Sequence, residues 1–448
     1  MDWVHLLSSK RLGDGNYVEE PHRPIYVQDL DRIVFSAPFR RLANKTQVHP
    51  LYDHDHIHHR LIHSVETGSV GRSLGMSIGH WLEVECLVTA GAKHTIAGIV
   101  QAACLAHDIG NPPFGHSGEA AIGSWFKDQF SSSSPSGIFG MMNGEYLSHR
   151  SEFEEFEGNA QGFRILTKLE MYRNQGGMRL SKGVLGAFTK YPITSKVKNS
   201  INSDYCGAKK FGIFQTELEI FESICSELGL VKEVHSSGQW WRRHPLVFIV
   251  EAADDICYNI LDIEDGFTAG DLQFEVVDRC LSPLAGASNA DISRMTNEER
   301  IAYMRSRGIG AAITACVESF KDNYKMIMDG TFSGSLVEAS AKANEFHEIK
   351  KIAKQRLFTA KRKTDLEVSG RNVIWQVLDG VLPVYNELMR QNWDSSKLEG
   401  YLKQLSAALQ LDLRDIQTPN EALHSMTDFV SGMTDRYAIK TAKMLSGA

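Results

Sequence analysis

The stretch CLAHDIGNPPFGHSGE, residues 104–119, concentrates side chains that could do chemistry. His107 and Asp108 are adjacent, and His116 and Glu119 follow a Gly-Asn-Pro-Pro break at 110–113. Together with His63 and Asp254, the first pair offers two imidazoles and two carboxylates to one divalent cation. That donor mix suits Mn²⁺, Fe²⁺, Co²⁺, Ni²⁺ or Mg²⁺, and the lack of thiolate argues against structural zinc. Such a set leaves positions open on a six-coordinate ion for water and a phosphate oxygen, the arrangement that hydrolysis requires. Each piece alone is unspecific. A single His on an apolar helix face is ordinarily a hydrogen-bonded core residue, and YDHDHIHHR (52–60) reads equally as a solvated run or a pocket rim.

Helices must position these groups. In HTIAGIVQAACLAHDIG the residues Ile96, Val100, Ala103 and His107 recur three or four apart, on one face. Thr95 is the expected N-cap, and Gly110 before Asn-Pro-Pro the expected stop. Neighbouring side chains diverge by about 100° on a helix, so His107 and Asp108 can share an ion only near a helix end. HHRLIHSVETGSVGRSLG reads as an earlier helix carrying His63, and FEGNAQGFRILTKLEMY and QTELEIFESICSELGL as further amphipathic helices. HPLVFIVEAADDICYNILDIEDGF could open as a short strand at 246–250, but its length favours one helix after Pro245. Asp254, Tyr258 and Asp262 then fall at i, i+4 and i+8 on one stripe. An exposed acidic face would explain Asp262, Glu264 and Asp265; a tyrosine between two aspartates reads better as a polar pocket wall. Loops are expected at 131–137, 174–178 and 194–212. Beyond Pro283 the pattern is of plain long helices with a lysine-rich face at 349–363, so the fold class is all-α.

The 448 residues carry a net charge of −7, from 48 basic and 55 acidic side chains. The chain as a whole therefore does not present itself as a nucleic-acid or membrane binder. At 42% hydrophobic and 23% charged residues it has ample material for a core. Length alone allows two or three domains or one large helical one. Seven scattered cysteines without a CxxC pair make a disulfide framework or zinc ribbon unexpected. The start has no apolar signal-peptide core and no apolar run approaches ~20 residues; the expectation is a cytoplasmic protein without membrane contact.

Seven segments in order resemble a known family: RIVFSAPFRRLANKTQV, HHRLIHSVETGSVGRSLG, LAHDIGNPPFGHSGE, FEGNAQGFRIL, KYP, EAADDICYNILDIEDG and SGMTDRY. They are similar to the bacterial dGTPase-like branch of the HD-domain phosphohydrolases. The resemblance implies an HD-domain helical core at 29–285, an N-terminal arm at 1–28, and a C-terminal helical region at 286–448 that completes the pocket and subunit contacts. It implies hydrolysis of deoxynucleoside triphosphates, dGTP among them, at the α-phosphorus to deoxynucleoside and inorganic triphosphate. Carried over by motif, His63, His107, Asp108 and Asp254 are the ligands of a divalent ion, Mn²⁺ or Mg²⁺ first. His116 and Glu119 match positions beside the α-phosphate, with three roles open: positioning the water, deprotonating it, or protonating the leaving oxygen.

Triphosphate carries a charge near ~−4 and calls for cationic donors, for which Arg60, Lys190 and Lys210 are the candidates. Tyr191, Tyr258 and Asp262 resemble residues that line the sugar and phosphate pocket, with Asp262 or Gln47 on the 3′-hydroxyl. Asn111 and Asn159 match motif positions but also have structural readings, before Pro-Pro and in a helix-entry loop. Arg40 and Arg41 read as anchors of the N-terminal arm. The family forms hexamers and uses second nucleotide or single-stranded DNA sites. Arg436 is accordingly a candidate at a subunit boundary, and the basic run of Lys350, Lys351, Lys354, Arg356 and 361–363 reads as a solvated helix face. Two other classes share the ligand set: another HD nucleotidase or phosphodiesterase, and a nucleotide- or DNA-binding regulatory module with a vestigial metal site.

Overall fold

The computed structural model describes residues 1–46, 59–132, 136–171, 174–287, 290, 292–357 and 361–447, except for the side chains of 145, 361–363 and 366. Gln47, most of the histidine-rich run at 52–60 and the basic side chains at 361–363 lie outside the described residues. The remainder is overwhelmingly helical, as the periodicity requires. No described helix is long and apolar enough to cross a membrane.

The centre is a pair of helices, α1 (Arg60–Val84) and α2 (Ala92–Ala106). Along α1, Gly68, Gly71, Gly75 and Gly79 recur three or four apart and are buried against α2. A Cβ at Gly75 would stand 2.8 Å from the Ala97 Cα, and one at Gly79 only 2.6 Å from the Lys93 Cα. Glycine weakens a helix interior by about 1 kcal/mol per residue; here it lets two backbones touch, so that α1 can fix His63 against the end of α2.

Helix α2 starts one turn before Thr95, after a left-handed Gly91 (φ +90) that no side chain caps. Its other end also differs from expectation. The helix stops at Ala106, His107 is its C-cap, and 107–110 form a turn. Gly110 has no left-handed φ. Its hydrogen is needed because a Cβ would lie 2.1 Å from both the Gly158 carbonyl oxygen and the Gly162 nitrogen. The chain then reverses through Pro112-Pro113 and two left-handed residues, Phe114 (φ +63) and Gly115 (φ +59), into α3 (Gly115–Ser131).

The short α4 (Gly158–Arg164) packs on that turn and runs into a π-turn at Ile165–Leu169. Residues 194–212, expected as a polar loop, are packed against the core: Tyr205, Cys206 and Phe211 are buried. The aromatic residues among the polar ones carry the segment inward, and the Tyr205 hydroxyl accepts the Arg243 N–H (2.9 Å). A two-stranded antiparallel hairpin, β1 (Lys232–His235) and β2 (Gly238–Trp241), interrupts the helices, with Lys232 opposite Trp241.

After it, α5 (Pro245–Thr268) is one continuous helix, with Pro at its first position and His244 as N-cap. The His244 ring accepts from the Leu246 N–H and donates to the Leu6 carbonyl, both at 3.0 Å. The first residues of the chain are thus bonded to the start of the helix that carries Asp254. The C-terminal third adds long helices such as α6 (Asn297–Asp322) and α7 (Lys361–Arg390), and ends in α8 (Pro419–Ser431) and α9 (Asp435–Ser446).

Candidate metal centre and phosphate pocket

Helices α1 and α5 and the end of α2 converge on one point. His63 Nε2 lies 3.0 Å and His107 Nε2 3.5 Å from the same Asp254 oxygen, Oδ1. The ligand atoms of His63, His107 and Asp254 all fall within 4.8 Å of one another. The tautomer of His107 follows from a single contact. Its Nδ1 is 2.6 Å from the Cys104 carbonyl, which can only accept, so Nδ1 donates and Nε2 is the nitrogen that faces the cluster. Burial alone would lower the His107 pKa, but Asp108 and Asp254 outweigh it and push it up to about 9. Asp254 is held well below the usual carboxylate range by the two imidazoles, against the effect of burial. The same negative field that favours a proton here favours a cation in its place. Two imidazoles and a carboxylate fit such an ion.

Asp108 lies beside this group, its Oδ1 3.6 Å from His107 Nε2. Its oxygens are already engaged: Arg60 Nη1 donates to Oδ2 at 2.6 Å, and the Asn111 amide donates to Oδ1. Burial would raise Asp108, yet Arg60 and the imidazoles hold it down at about 2. Arg60 is buried on the carboxylate and is not part of the cavity wall. A Cβ on Gly115 would stand 2.6 Å from its guanidinium on a left-handed backbone, so any side chain there would displace the arginine tip and strain the turn.

A cavity opens in front of the cluster. Its walls include His107, Asp108 and Asp254, and also Asn111, His116, Asn159, Lys190, Tyr191 and Lys210. The His116 side chain is 83% exposed, and its Nδ1 donates to Glu119 Oε2 at 2.7 Å, which leaves Nε2 for the cavity. Glu119 is buried and also accepts the Gly158 N–H at 2.8 Å. The bond to Glu119 raises the His116 pKa, and His116 in turn lowers that of Glu119 against the effect of burial. Lys190 and Lys210 face the cavity in ion pairs, Lys190 with Glu251 (3.2 Å) and Lys210 with Glu157 (2.8 Å). Glu251 also holds Arg243 at 2.9 Å.

Tyr258 and Asp262 continue the Asp254 stripe along α5 and are hydrogen-bonded to each other, but neither is among the described cavity walls. Arg436 is exposed on α9. Lys350 reaches Asp255 at 3.8 Å, so the basic run is not wholly solvated.

Residue reading missed four participants. Glu157 and Glu251 lie within FEGN and EAADD, and Glu251 sits one turn before Asp254; that spacing was the available signal. Buried Lys45 donates to the Asn111 and Ser431 carbonyls at 2.6 and 2.8 Å, and burial with Arg41 and Arg60 pulls its pKa down to about 7. Asp435 accepts from Thr46 and Phe114.

A model of the HD domain matches residues 60–157, which carry His63, His107, Asp108, His116 and Glu119. Over its full length the chain is 38% identical to a deoxyguanosinetriphosphate triphosphohydrolase-like protein of Pseudomonas aeruginosa (strain LESB58), 99% of which is covered. It is 36% identical, again over the full chain, to one from a Synechocystis species, with 99% of that protein covered. The deoxyguanosinetriphosphate triphosphohydrolase of Yersinia enterocolitica is 29% identical over 82% of this chain and 77% of its own. With identity of that order running from end to end, the chain belongs to the deoxyguanosinetriphosphate triphosphohydrolase-like family of HD-domain proteins.

Proposed function

We propose that the protein hydrolyses deoxynucleoside triphosphates at the α-phosphorus, releasing deoxynucleoside and inorganic triphosphate, with dGTP a substrate. One observation carries this reading: a single cavity is lined by His107 and Asp254 of the cluster they form with His63, by His116 of the His116–Glu119 pair, and by the two paired lysines. A divalent ion, Mn²⁺ or Mg²⁺, held by His63, His107 and Asp254 with Asp108 beside them would polarise the α-phosphate and activate a water.

The chain's own residues supply the rest. Lys190 and Lys210 exchange their carboxylates for the triphosphate oxygens. Attack of water at phosphorus forms one P–O bond and breaks the bond to the 5′-oxygen, which needs a proton. His116, its pKa raised by the bond to Glu119, keeps its proton to higher pH than a free imidazole and donates it from Nε2. Tyr191 lines the cavity where the sugar would lie, and a tight ring there excludes a ribose hydroxyl.

The test is a product assay over all four deoxynucleoside triphosphates, alone and in mixtures, with metal content measured on the same sample. Nucleoside and triphosphate in equal amounts are expected. Release of monophosphate with pyrophosphate, or of orthophosphate, overturns the reading. His63→Ala and Asp254→Ala should lose both metal and turnover, whereas His116→Ala should keep the metal and slow turnover by about 10²–10⁴-fold.

A further inference from the structure

Residues 431–437, SGMTDRY, lie more than 300 positions beyond His116, yet they are bonded into the turn that carries it. Asp435 is buried at the first position of α9. Its Oδ1 accepts the Phe114 N–H at 3.0 Å, and its Oδ2 accepts both the N–H (3.0 Å) and the hydroxyl of Thr46. A second stitch runs parallel: Lys45 Nζ joins the Ser431 carbonyl to the Asn111 carbonyl. The 111–115 segment is thus held at Asn111 by Lys45 and at Phe114 by Asp435, and the 45–46 segment and the C-terminal motif are bonded to each other through the same two side chains.

The grip falls where the backbone needs it. Phe114 adopts a left-handed φ of +63, which a large side chain avoids, and Gly115 follows at +59. Such a conformation persists only when its surroundings over-determine it. No described backbone carbonyl accepts the Phe114 amide, and Asp435 is its acceptor. Two residues later comes His116, whose ring must keep one nitrogen on Glu119 and aim the other into the cavity. The Phe114 ring in turn rests on Gly370, where a Cβ would stand 2.8 Å away. The turn has its own bond from the Gly115 N–H to the Pro112 carbonyl (3.2 Å), and the C-terminal third of the chain clamps it from outside through Asp435 and Gly370.

We propose that Asp435 is a positioning residue that locks the 112–115 turn and thereby aims His116, making the C-terminal helix part of the machinery for proton delivery. This rests on the role given to His116 above. The side chain acts through the turn and touches neither substrate nor metal-binding groups.

Asp435→Asn keeps the shape but turns one of the two accepting oxygens into a donor that faces backbone N–H groups. The expected result is a fall in kcat of about 10–100-fold, with KM and bound metal within about 2-fold of wild type, because a small misplacement of a reacting group costs that much. Hydrogen exchange in the peptide covering 111–118 should accelerate, while that of the helix at Leu218–Leu228 stays unchanged. In a His116→Ala background the substitution should cost nothing further, since residues acting through one group are not additive. A wild-type kcat, or an equal extra loss on top of His116→Ala, overturns the proposal. Thr46→Val, which removes one of the three bonds, gives the same comparison at smaller amplitude if Asp435→Asn does not fold. A wild-type protein that hydrolyses no deoxynucleoside triphosphate would sink the functional reading. The exchange measurement still judges the clamp in that case, and unchanged protection at 111–118 overturns it.

Discussion

His116 and Glu119 are three residues apart on one helix face, and their bond sets the pH at which the histidine can give up a proton. Glu119 stabilises the imidazolium, so the His116 pKa lies above its ordinary value near ~6.5. As a proton donor His116 must be protonated, and turnover should fall as pH rises through that raised pKa. Glu119→Gln removes the negative charge, lowers the pKa, and should move the alkaline limb of the kcat profile to lower pH. An unmoved limb would remove His116 as the donor. The lysines lead to a second expectation. Lys210 is 41% exposed and paired with Glu157, so solvent screens the pair and its worth is about 0.2–1 kcal/mol. Glu157→Gln frees the cation for triphosphate and should lower KM by about 2–5-fold, measured as initial rates against substrate concentration. That His63, His107 and Asp254 come together could be read only from the ordered set of family motifs, because a single His on an apolar helix face announces nothing by itself. Their counter-ions were not legible, since the Arg60–Asp108 bond joins residues 48 positions apart and no local pattern encodes it.

Helices were legible as elements, but their ends were not. Periodicity identified α2 and α5, whereas the start at Gly91 depends on a left-handed backbone angle that no side chain signals. The hairpin at 232–241 escaped notice because β1 is mostly exposed and shows no apolar alternation. Gly110 was read as a helix stop, and the structure makes it a contact point. The distinction can be tested, since a left-handed stop would strain alanine only locally. In Gly110→Ala the new methyl would meet backbone atoms of Gly158 and Gly162 at 2.1 Å, and backbone cannot swing aside as a side chain can. The 107–110 turn must shift, so metal retention, read by elemental analysis after dialysis, should drop together with thermal stability. Gly75→Ala presses on Ala97 at 2.8 Å, far from the cavity walls. Overpacking of this kind costs about 1–3 kcal/mol. It should lower Tm while metal content per folded protein stays near wild type.

At the scale of the whole molecule, the C-terminal third gave few motifs to read, yet it is locked to the core by buried charge. Arg164 on α4 donates to Glu217 at 2.6 Å and to both oxygens of Asp428 on α8. Breaking such a buried pair from one side costs about 3–5 kcal/mol, so these contacts hold the last helices in place. Beside them, Glu152 and His424 are both 1% exposed and 3.6 Å apart. One Glu152 oxygen accepts the Gln215 N–H at 2.6 Å, and the other has no hydrogen-bond partner. Burial, aided by Glu217, pushes Glu152 up to about 8, while burial and Arg164 hold His424 well below the usual imidazole range. Near neutrality both are uncharged, which is what an apolar site shared with Phe153 and Phe214 allows. The linkage has a definite sign. The folded state keeps the Glu152 proton up to about pH 8, whereas the unfolded chain releases it near the ordinary glutamate value of 4.5. Folding therefore binds a proton in that window, and stability contributed by this group is lost as pH rises through it. His424 works in the opposite sense, losing stability as pH falls below its ordinary range, and remains in either protein. Glu152→Gln keeps an oxygen for the Gln215 N–H and has no proton to lose. Its Tm relative to wild type should climb between about pH 5 and about pH 8 and level off above. A difference that stays flat across that range would mean Glu152 is ionised in the folded protein and neutralised by its neighbours.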